Sequence, residues 1–439
     1  MCKSLKEKFL NKTAKVCVIG LGYVGLPLAI SLAKYGYEVF GIDTSKDKIK
    51  SLRNGKSYIL DISDKDLQDV IHKNLFVGDD FSILSKANAI SICVPTPLNK
   101  TKDPDLSYLS SSIEKIIQFI KRGTLIILES TTYPGTTEEL ITKTIENNKK
   151  YRLGIDFFVC FSPERIDPGN KKLDIKNIPK VIGGDTSNSL ELGMIYYSSI
   201  FNEMIPVSST KVAEMTKLLE NTFRSVNIAL VNELTLMCER MNINIWEVID
   251  AASTKPMGYM PFYPGPGIGG HCIPLDPMYL SWRGKTFDYY NRFIELSNDI
   301  NRNMPRYMVQ NISELLNRQE KSIKNSIIFL IGISYKKNVA DLRESPAIEI
   351  YRLLEEKGGK LIYHDPYVPH CKINGKTIYS QNLTKETIKS ADLIVITTDH
   401  SNIDYPFIIK HAKNIFDTRN VTKLYTNQKH ITLLGNLYE

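Results

Sequence analysis

The sequence lacks any long apolar run. Nowhere in its 439 residues does a stretch approach the roughly 18–20 consecutive apolar residues that cross a bilayer. Residues 1–8 are basic but carry no apolar core of the kind found in signal peptides. These absences argue against a membrane-spanning helix and predict a cytoplasmic protein, whose length is enough for about two or three domains.

Cysteines at short spacing are missing too. The seven cysteines include no Cys-x-x-Cys and no spacing typical of metal ligands. Their odd number favours thiols in a reducing compartment, one of which could serve in catalysis. The sequence therefore predicts no metal site.

A dense basic or aromatic cluster is also absent. Lysine and arginine total 56 against 48 acidic residues, so the formal net charge is +8, but the lysines are scattered. A positive balance alone is compatible with nucleic acid, anionic lipid or a small anion. Because scattered charge favours an ordinary solvated surface, we predict neither a nucleic-acid nor a membrane partner.

What is present begins with a glycine-rich turn near the N-terminus. The run Gly20-Leu-Gly-Tyr-Val-Gly25 follows a predicted strand, residues 14–20, and precedes an amphipathic segment, residues 26–35. A second predicted strand, residues 38–43, ends in an aspartate. This order is typical of the dinucleotide-binding fingerprint of a doubly wound α/β fold.

Each residue of this fingerprint has a physical role. Gly20 makes the tight turn, Gly22 lets the backbone approach the pyrophosphate, and Gly25 lets the helix pack closely on the strand. Asp43 is expected to accept from the adenosine ribose hydroxyls and to repel a 2′-phosphate. The pattern therefore predicts NAD rather than NADP as the cofactor.

Polar loops follow three further predicted strands, residues 89–94, 124–129 and 157–161. We expect these loops at the site, because the carboxyl ends of strands line the ligand crevice of a doubly wound sheet. Glu164 and Arg165, after the third strand, are placed where chemistry would occur. The predicted cofactor contacts are Gly20, Gly22, Tyr23, Val24, Gly25, Asp43, Pro95, Thr96 and Thr131.

A second glycine-rich run, Gly265-Pro-Gly-Ile-Gly-Gly-His-Cys272, ends in a cysteine. Glycines let backbone amides approach a ligand, and a thiol beside them can reach a bound electrophile. With a nicotinamide cofactor, such a cysteine suggests oxidation of an alcohol past the aldehyde to the acid, through a thioester.

Residues 210–250 have helical periodicity, with apolar residues at steps of three and four. Lys217 and Asn221 share another face of this predicted helix, which could direct both into one site. A solvated polar face is the alternative. The breadth of the apolar stripe suits a contact between two copies of the chain.

A second α/β region without a glycine fingerprint is predicted from residue 326 onward. Its candidate strands are residues 326–334, 360–365, 392–398 and 415–417. The loop after the first of them carries Lys336, Lys337 and Arg343, which could bind an anion such as a nucleotide diphosphate. Ordinary loop charge is the alternative.

Together these motifs closely resemble the nucleotide-sugar 6-dehydrogenases of the UDP-glucose/GDP-mannose dehydrogenase family. The resemblance rests on motifs in the family's order at residues 20–27, 94–97, 129–136, 162–165, 214–221, 269–272 and 336–346. It implies two Rossmann-like doubly wound α/β domains joined by a long central helical region. The implied bounds are 1–208 for the NAD domain, 209–315 for the dimerising region with the cysteine loop, and 316–439 for the UDP-sugar domain.

The resemblance also implies a cysteine mechanism. Cys272 attacks the C6 aldehyde left by a first hydride transfer, and a second hydride transfer gives a thioester that water hydrolyses to the uronate. Lys217 would stabilise the oxyanion and Asn221 would add a neutral donor. Glu164 would be the general base for the hydrolysis.

Further roles follow from the same resemblance. Asp276 and Thr131 would hold a water that relays protons. Arg343 would grip the UDP portion, and Lys336 would face the substrate. The implied substrate contacts are Glu164, Arg165, Lys217, Asn221, Gly265, Gly267, Gly269, Lys336 and Arg343.

The sugar is predicted from Arg165 and from segments 104–107, 132–136 and 163–169, which look like the branch acting on N-acetylated sugars. We predict UDP-N-acetylglucosamine, oxidised for surface polysaccharide; UDP-N-acetylmannosamine or UDP-N-acetylgalactosamine is the alternative, and UDP-glucose comes third. The glucose enzymes carry a cross-subunit arginine before the glycine run. Residues 241–282 contain no arginine, so that contact is in doubt.

Two other functions compete with this prediction. A 3-hydroxyacid dehydrogenase shares the N-terminal fold and the central helix but needs no nucleophilic cysteine. A non-catalytic NAD-sensing protein would keep the glycine fingerprint without Cys272, Lys217 and Glu164.

Overall fold

The computed structural model describes residues 1–59, 62–99, 103–165, 175–425 and 428–436. These residues form two compact units. The first unit comprises residues 1–220 and 278–289, and the second comprises residues 221–277 and 290–439. The predicted segment 163–169 lies partly outside the described residues.

The first unit is built on an eight-stranded sheet in the order β3-β2-β1-β4-β5-β6-β7-β8. All neighbours are parallel except β6 and β7. The strands are β1 Lys15–Ile19, β2 Glu38–Ile42, β3 Leu75–Gly78, β4 Ala89–Ile92, β5 Thr124–Leu128, β6 Phe157–Phe161, β7 Lys180–Gly184 and β8 Met204–Val207. The order of the first six strands is that of a dinucleotide-binding fold.

Helices cover both faces of this sheet, so its inner strands β1, β4, β5 and β6 are largely apolar and buried on both sides. In β1, Val16 and Val18 face one hydrophobic cluster, and Cys17 and Ile19 face the other. The helices are α1 Cys2–Leu10, α2 Gly25–Tyr35, α3 Lys46–Arg53, α4 Asp64–Gln68, α5 Ser107–Phe119, α6 Lys143–Lys149 and α7 Ser187–Tyr197, with a π-helix at Thr137–Thr142.

The second unit contains a five-stranded parallel sheet in the order β10-β9-β13-β14-β15, together with the hairpin β11–β12. The strands are β9 Ile327–Ile331, β10 Lys360–His364, β11 His370–Ile373, β12 Lys376–Tyr379, β13 Leu393–Ile396, β14 Ile415–Asp417 and β15 Ile431–Leu433. Its helices are α9 Ile245–Ala252, α11 Arg292–Asn317, α12 Pro346–Glu356, α13 Lys385–Ser390 and α14 Tyr405–His411.

Two helices contain residues of both units. Helix α8, Thr210–Arg240, is continuous over 31 residues, and α10 spans Asp276–Lys285. The predicted fold class, two doubly wound α/β regions with a long helical segment between them in the chain, is confirmed. The three-part division at residues 208 and 315 stays a prediction. Within the described ranges, no helix has the length and apolarity that a membrane crossing requires.

Candidate active site

The glycine fingerprint has one glycine that faces open space and two that are packed. A Cβ on Gly20, where φ is +89°, would lie 2.6 Å from the Cys93 carbonyl oxygen, and one on Gly25 would lie 1.9 Å from the Gly20 carbonyl oxygen. A Cβ on Gly22 would meet nothing within 4 Å. This is the arrangement that lets a pyrophosphate approach the backbone at Gly22, beside exposed Tyr23 and the helix cap Val24.

Asp43 lies directly after β2, beside this turn. Its Oδ2 accepts from the Leu21 N–H over 3.0 Å and from Lys48 Nζ over 3.2 Å, and its Oδ1 accepts from the Ser45 N–H over 2.9 Å. The side chain is 8% exposed. Because a carboxylate has about four lone-pair sites, Asp43 retains capacity to accept from a ribose hydroxyl.

Two predicted cofactor loops are tied together at the carboxyl edge of the first sheet. The Thr96 hydroxyl donates to the Thr131 carbonyl over 2.7 Å, and the Tyr279 hydroxyl donates to the Thr96 carbonyl over 2.8 Å. Pro95, beside them, is exposed. The loops after β4 and β5 therefore form one edge; that Pro95, Thr96 and Thr131 contact the cofactor there stays a prediction.

Lys217 and Glu164 lie together in the first unit. The Lys217 ammonium donates to the backbone carbonyl of Glu164 over 2.6 Å. The Glu164 carboxylate accepts from the Arg165 N–H over 2.7 Å and from Lys180 Nζ over 3.4 Å. Helix α8 thus brings the predicted oxyanion-stabilising cation to the loop of the predicted base.

The Arg165 guanidinium is largely occupied by protein partners. Nη1 donates to the Pro179 carbonyl over 2.8 Å, and Nη2 pairs with Glu220. Nε is buried and has no hydrogen-bond partner among the described residues. These contacts favour a role for Arg165 in holding its loop, and they leave Nε as the one guanidinium nitrogen without a hydrogen-bond partner among the described residues.

Cys272, Asn221 and Asp276 belong to the second unit. The thiol is exposed, and the Cys272 carbonyl accepts from the Asp276 N–H over 2.8 Å. The Asn221 amide donates to the Asp276 carboxylate. The structure therefore joins Asn221 to Asp276 directly and places both beside the turn that presents the thiol.

The glycines before Cys272 are packed against the protein itself. A Cβ on Gly265 would lie 2.8 Å from Arg419 Nη1, and one on Gly269 would lie 2.6 Å from Tyr335 Cβ. A Cβ on Gly267 would also be tight, at 3.2 Å from the Asn301 carbonyl oxygen. Internal packing is therefore a second reason for glycine at these positions, beside the predicted approach of a ligand.

The basic loop after β9 packs against this glycine run. The Gly270 N–H donates to the Arg343 carbonyl over 2.9 Å, and the Arg343 guanidinium forms a bidentate pair with Asp341. Lys336 is half-buried in the same loop. A diphosphate at Arg343 would therefore share the guanidinium with Asp341.

Sequence reasoning missed several buried polar residues at these loops. Arg419 donates from Nε to the Thr397 carbonyl over 2.9 Å; its position just after β14 was the available signal. Lys180 pairs with Glu129 over 2.7 Å inside the first unit. A lysine that begins a strand gives no such signal, because its partner is distant in sequence.

Glu214, one turn before Lys217, is another buried group. Its carboxylate accepts from the Gly135 N–H over 2.5 Å and from the Thr137 N–H over 2.8 Å. These donors lie where the loop after β5 enters the π-helix. Burial raises the pKa of Glu214 to about 7, although the hydrogen bonds from Thr137 and Gly135 oppose that shift.

Comparison with known proteins gives three matches to the UDP-glucose/GDP-mannose dehydrogenase family. The NAD binding domain matches residues 14–201, the central domain residues 211–303, and the UDP binding domain residues 329–424.

Individual relatives agree with these domain matches. A UDP-N-acetyl-D-mannosamine dehydrogenase of Methanococcus maripaludis is 36% identical over 442 residues, which cover 96% of this chain and 97% of that protein. A UDP-N-acetyl-D-glucosamine 6-dehydrogenase of Pseudomonas aeruginosa is 37% identical, covering 81% of this chain and 84% of that protein. The structure of a UDP-D-ManNAc dehydrogenase from Pyrococcus horikoshii matches with a TM-score of 0.87 at 34% identity, over 96% of this chain and 99% of that one.

Proposed function

Because the chain belongs to the UDP-glucose/GDP-mannose dehydrogenase family, we propose that it oxidises the C6 hydroxymethyl group of a UDP-N-acetylhexosamine to the uronic acid. The chain is an NAD-dependent nucleotide-sugar dehydrogenase. The exposed Cys272 thiol, directly after a packed glycine run, is the observation that carries the finer proposal.

The proposed chemistry is a four-electron oxidation in which NAD accepts a hydride twice. Between the two transfers, the Cys272 sulfur bonds to the C6 aldehyde carbon. Lys217 supplies a positive charge for the oxygen that becomes negative, and Asn221, oriented by Asp276, supplies a neutral donor. Glu164 takes the proton of the water that hydrolyses the thioester.

Two sugars compete within the proposed class. The sequence motifs favour UDP-N-acetylglucosamine. The Methanococcus maripaludis relative named UDP-N-acetyl-D-mannosamine dehydrogenase aligns over 96% of the chain, against 81% for the Pseudomonas aeruginosa N-acetylglucosamine relative. We therefore place UDP-N-acetylmannosamine first in an assay panel, followed by the N-acetylglucosamine, N-acetylgalactosamine and glucose sugars.

The deciding experiment counts NADH per UDP-sugar consumed in the wild type and in Cys272→Ser. Two NADH per sugar are expected. The serine variant should lose turnover by at least about a thousandfold, because a neutral hydroxyl is a far weaker nucleophile, while it still binds NAD. Cys2→Ser, a half-buried cysteine in α1, is the matched control. One NADH per sugar would instead support a two-electron dehydrogenase, and none would support an NAD sensor.

A homodimer is the proposed assembly. Helix α8 exposes a row of apolar side chains: Val212, Met215, Leu219, Phe223, Leu230 and Met237. Monomeric proteins rarely expose large contiguous apolar patches. We therefore propose that a second copy of the chain packs against this row and buries it. Light scattering should give twice the chain mass of 49.9 kDa, and Leu219→Glu should shift the protein toward one chain mass. The cytoplasmic location stays a prediction.

A further inference from the structure

A charged cluster lies buried behind the Glu164 loop, in the interior of the first unit. Lys180 at the start of β7 is 2% exposed, and Glu129, directly after β5, is 1% exposed. Their side chains are 2.7 Å apart, and the Tyr197 hydroxyl donates to the other oxygen of Glu129. Burying such a pair carries a desolvation cost of several kcal/mol per ion, so it calls for a role that an apolar pair could not fill.

The ammonium group of Lys180 is shared among three acceptors. Besides Glu129, it donates to the Pro163 carbonyl over 3.2 Å and to Glu164 Oε2 over 3.4 Å. An ammonium has three protons, so each acceptor receives one. The other oxygen of Glu164 accepts from the Arg165 N–H. The Glu164 carboxylate is thus held at both oxygens, once from within its loop and once from the strand behind it.

We propose that Lys180 is a positioning residue for thioester hydrolysis, holding the Glu164 carboxylate and the Pro163 turn in the orientation that activates water. This inference rests on the proposed function, in which Glu164 is the hydrolytic base. Glu129 and Tyr197 fix the ammonium in turn, and the rings of Tyr197 and Phe201 lie 5.2 and 5.3 Å from it.

The charge state of the cluster agrees with this role. Burial acts to lower the pKa of Lys180, but the Glu129 and Glu164 carboxylates outweigh it, so the pKa lies above its ordinary value. Lys180 therefore remains a cation and a full donor at neutral pH.

The step that Lys180 supports consumes no oxidant. A water oxygen bonds to the thioester carbon while one water proton moves to a Glu164 oxygen. The carbon–sulfur bond then breaks, its electron pair returns to Cys272 as thiolate, and the acyl group leaves as the uronic acid.

A matched pair of variants isolates the lysine. Lys180→Met alone would leave the buried Glu129 carboxyl without its cation, so the informative variant is the double substitution Lys180→Met with Glu129→Gln. Its control is Glu129→Gln, which keeps the lysine and its contacts to Glu164 and Pro163. The two proteins differ only at residue 180.

We expect the double variant to form two NADH per site in a first turnover at a rate within about threefold of the control. Steady-state turnover should then fall by about ten- to a hundredfold with little change in KM. A charge-assisted hydrogen bond of roughly 1.5–3 kcal/mol corresponds to such a factor. Intact-mass spectrometry should show the acyl group accumulating on Cys272 in the double variant and not in Glu129→Gln. Lys180→Arg, made in the wild-type background, should hydrolyse the thioester faster than the double variant, because arginine keeps a cation and N–H donors at this position.

The variant Glu164→Gln separates the proposed role of Lys180 from the proposed role of Glu164 as the base. If Glu164→Gln accumulates the adduct but the double variant hydrolyses it at the control rate, Lys180 has no positioning role. If Glu164→Gln accumulates none and turns over normally, the base lies elsewhere and the proposed function of Glu164 fails. If the double variant does not fold, Lys180→Gln with Glu129→Gln, which fills the site with a neutral side chain of similar length, takes its place against the same Glu129→Gln control. Hydrolysis at the control rate in that protein would also overturn the inference, because the cluster would then have a structural role only.

Discussion

The two sheets place an aspartate at equivalent points, and the two carboxylates have different neighbours. In each sheet, the loop after one strand, β1 or β9, donates backbone N–H groups to an aspartate that follows the neighbouring strand, β2 or β10. In the first unit, Leu21 donates to Asp43 over 3.0 Å. In the second, Ile333 and Ser334 donate to Asp365 over 2.8 and 3.0 Å.

The difference lies in what else each carboxylate binds. Asp365 is 1% exposed, and its Oδ2 also contacts the Ser334 hydroxyl and His400 Nε2, each over 3.1 Å. His400 Nδ1 accepts from the Asn338 N–H over 3.0 Å, which places the ring proton on Nε2, facing Asp365. The same strand, loop and acid therefore serve the fold in the second sheet, whereas in the first sheet we propose that they serve the cofactor. An aspartate after the second strand does not by itself indicate a cofactor site.

Of the substitutions that test the difference between the two aspartates, the one at Asp365 is expected to have the largest effect, on the stability of the fold. We expect Asp365→Asn to lower the free energy of unfolding by about 2–4 kcal/mol at pH 7, because several buried donors lose a charged acceptor. Although burial acts to raise it, hydrogen bonding to His400 and the Ile333 and Ser334 amides holds the pKa of Asp365 at about 2.

The sign of the pH dependence follows from that value. A carboxyl whose pKa is lower in the folded than in the unfolded chain stabilises the fold at pH values above its unfolded pKa, near 3.8. This contribution is lost as the pH falls from about 4 toward about 2. Urea unfolding between pH 6 and 3 should therefore show the difference in unfolding free energy between the wild type and Asp365→Asn becoming smaller as the pH falls. A constant difference down to pH 3 would contradict the assignment.

Glu214 in the first unit gives the opposite pH dependence. Its pKa of about 7 lies above the ordinary 4.5 because of burial, so its contribution to stability is present below about 4.5 and falls as pH rises to about 7. The loss amounts to about 3 kcal/mol. Glu214→Gln should flatten the dependence measured by urea unfolding between pH 5 and 8. Equal slopes in both proteins would mean that the Gly135 and Thr137 donors keep the carboxylate ionised.

The third prediction tests the ligand role of Asp43. Asp43→Asn should lower kcat/KM for NAD about ten- to a hundredfold, roughly 1.4–2.7 kcal/mol of transition-state stabilisation, and should narrow the preference over NADP. Removing the charge weakens acceptance from the ribose hydroxyls and relieves repulsion of a 2′-phosphate. Asp365→Asn, assayed where it is folded, should leave the cofactor preference unchanged. Comparable kcat/KM for both cofactors in the wild type would contradict the role.

The smallest expected effect is at Arg165. We expect the enzyme to prefer the best UDP-N-acetylhexosamine to UDP-glucose by at least about tenfold, and Arg165→Leu to narrow that ratio. The expected change is small because both Nη groups already have protein partners. Glu220→Gln, which removes one partner and keeps the arginine, is the control. Equal losses on both sugars would leave Arg165 as a loop residue only.

The apolar strands could be predicted from sequence because both faces are buried. The predicted strands at residues 157–161 and 415–417 coincide with β6 and β14, and the predicted strand at residues 38–43 is one residue longer than β2. Strand β7 was missed, since it opens with Lys180 and closes with two glycines, and it pairs antiparallel to β6. A charged and glycine-containing strand has no apolar signature of its own.

The candidate site could be predicted from sequence where motifs repeat a known chemistry, and not where residues distant in sequence meet. Asp43 and Cys272 could be located from the glycine runs beside them. The contact of Lys180 with Glu129, and that of His400 with Asp365, join residues 51 and 35 positions apart. Neither spacing follows a helix or strand period, so only the folded chain reveals these pairs.

The packing of Gly265 against Arg419 has a consequence for how these positions can vary. Arg419 is held by its bond to the Thr397 carbonyl, and a methyl group at residue 265 would lie 2.8 Å from its Nη1. An alanine there must displace the arginine, whereas a shorter side chain at residue 419 would make room for it. Residues 265 and 419 are therefore epistatic: the effect of a substitution at one depends on the identity of the other. The substitutions that the cysteine loop tolerates at residue 265 are therefore expected to depend on the side chain at residue 419, in the loop after β14.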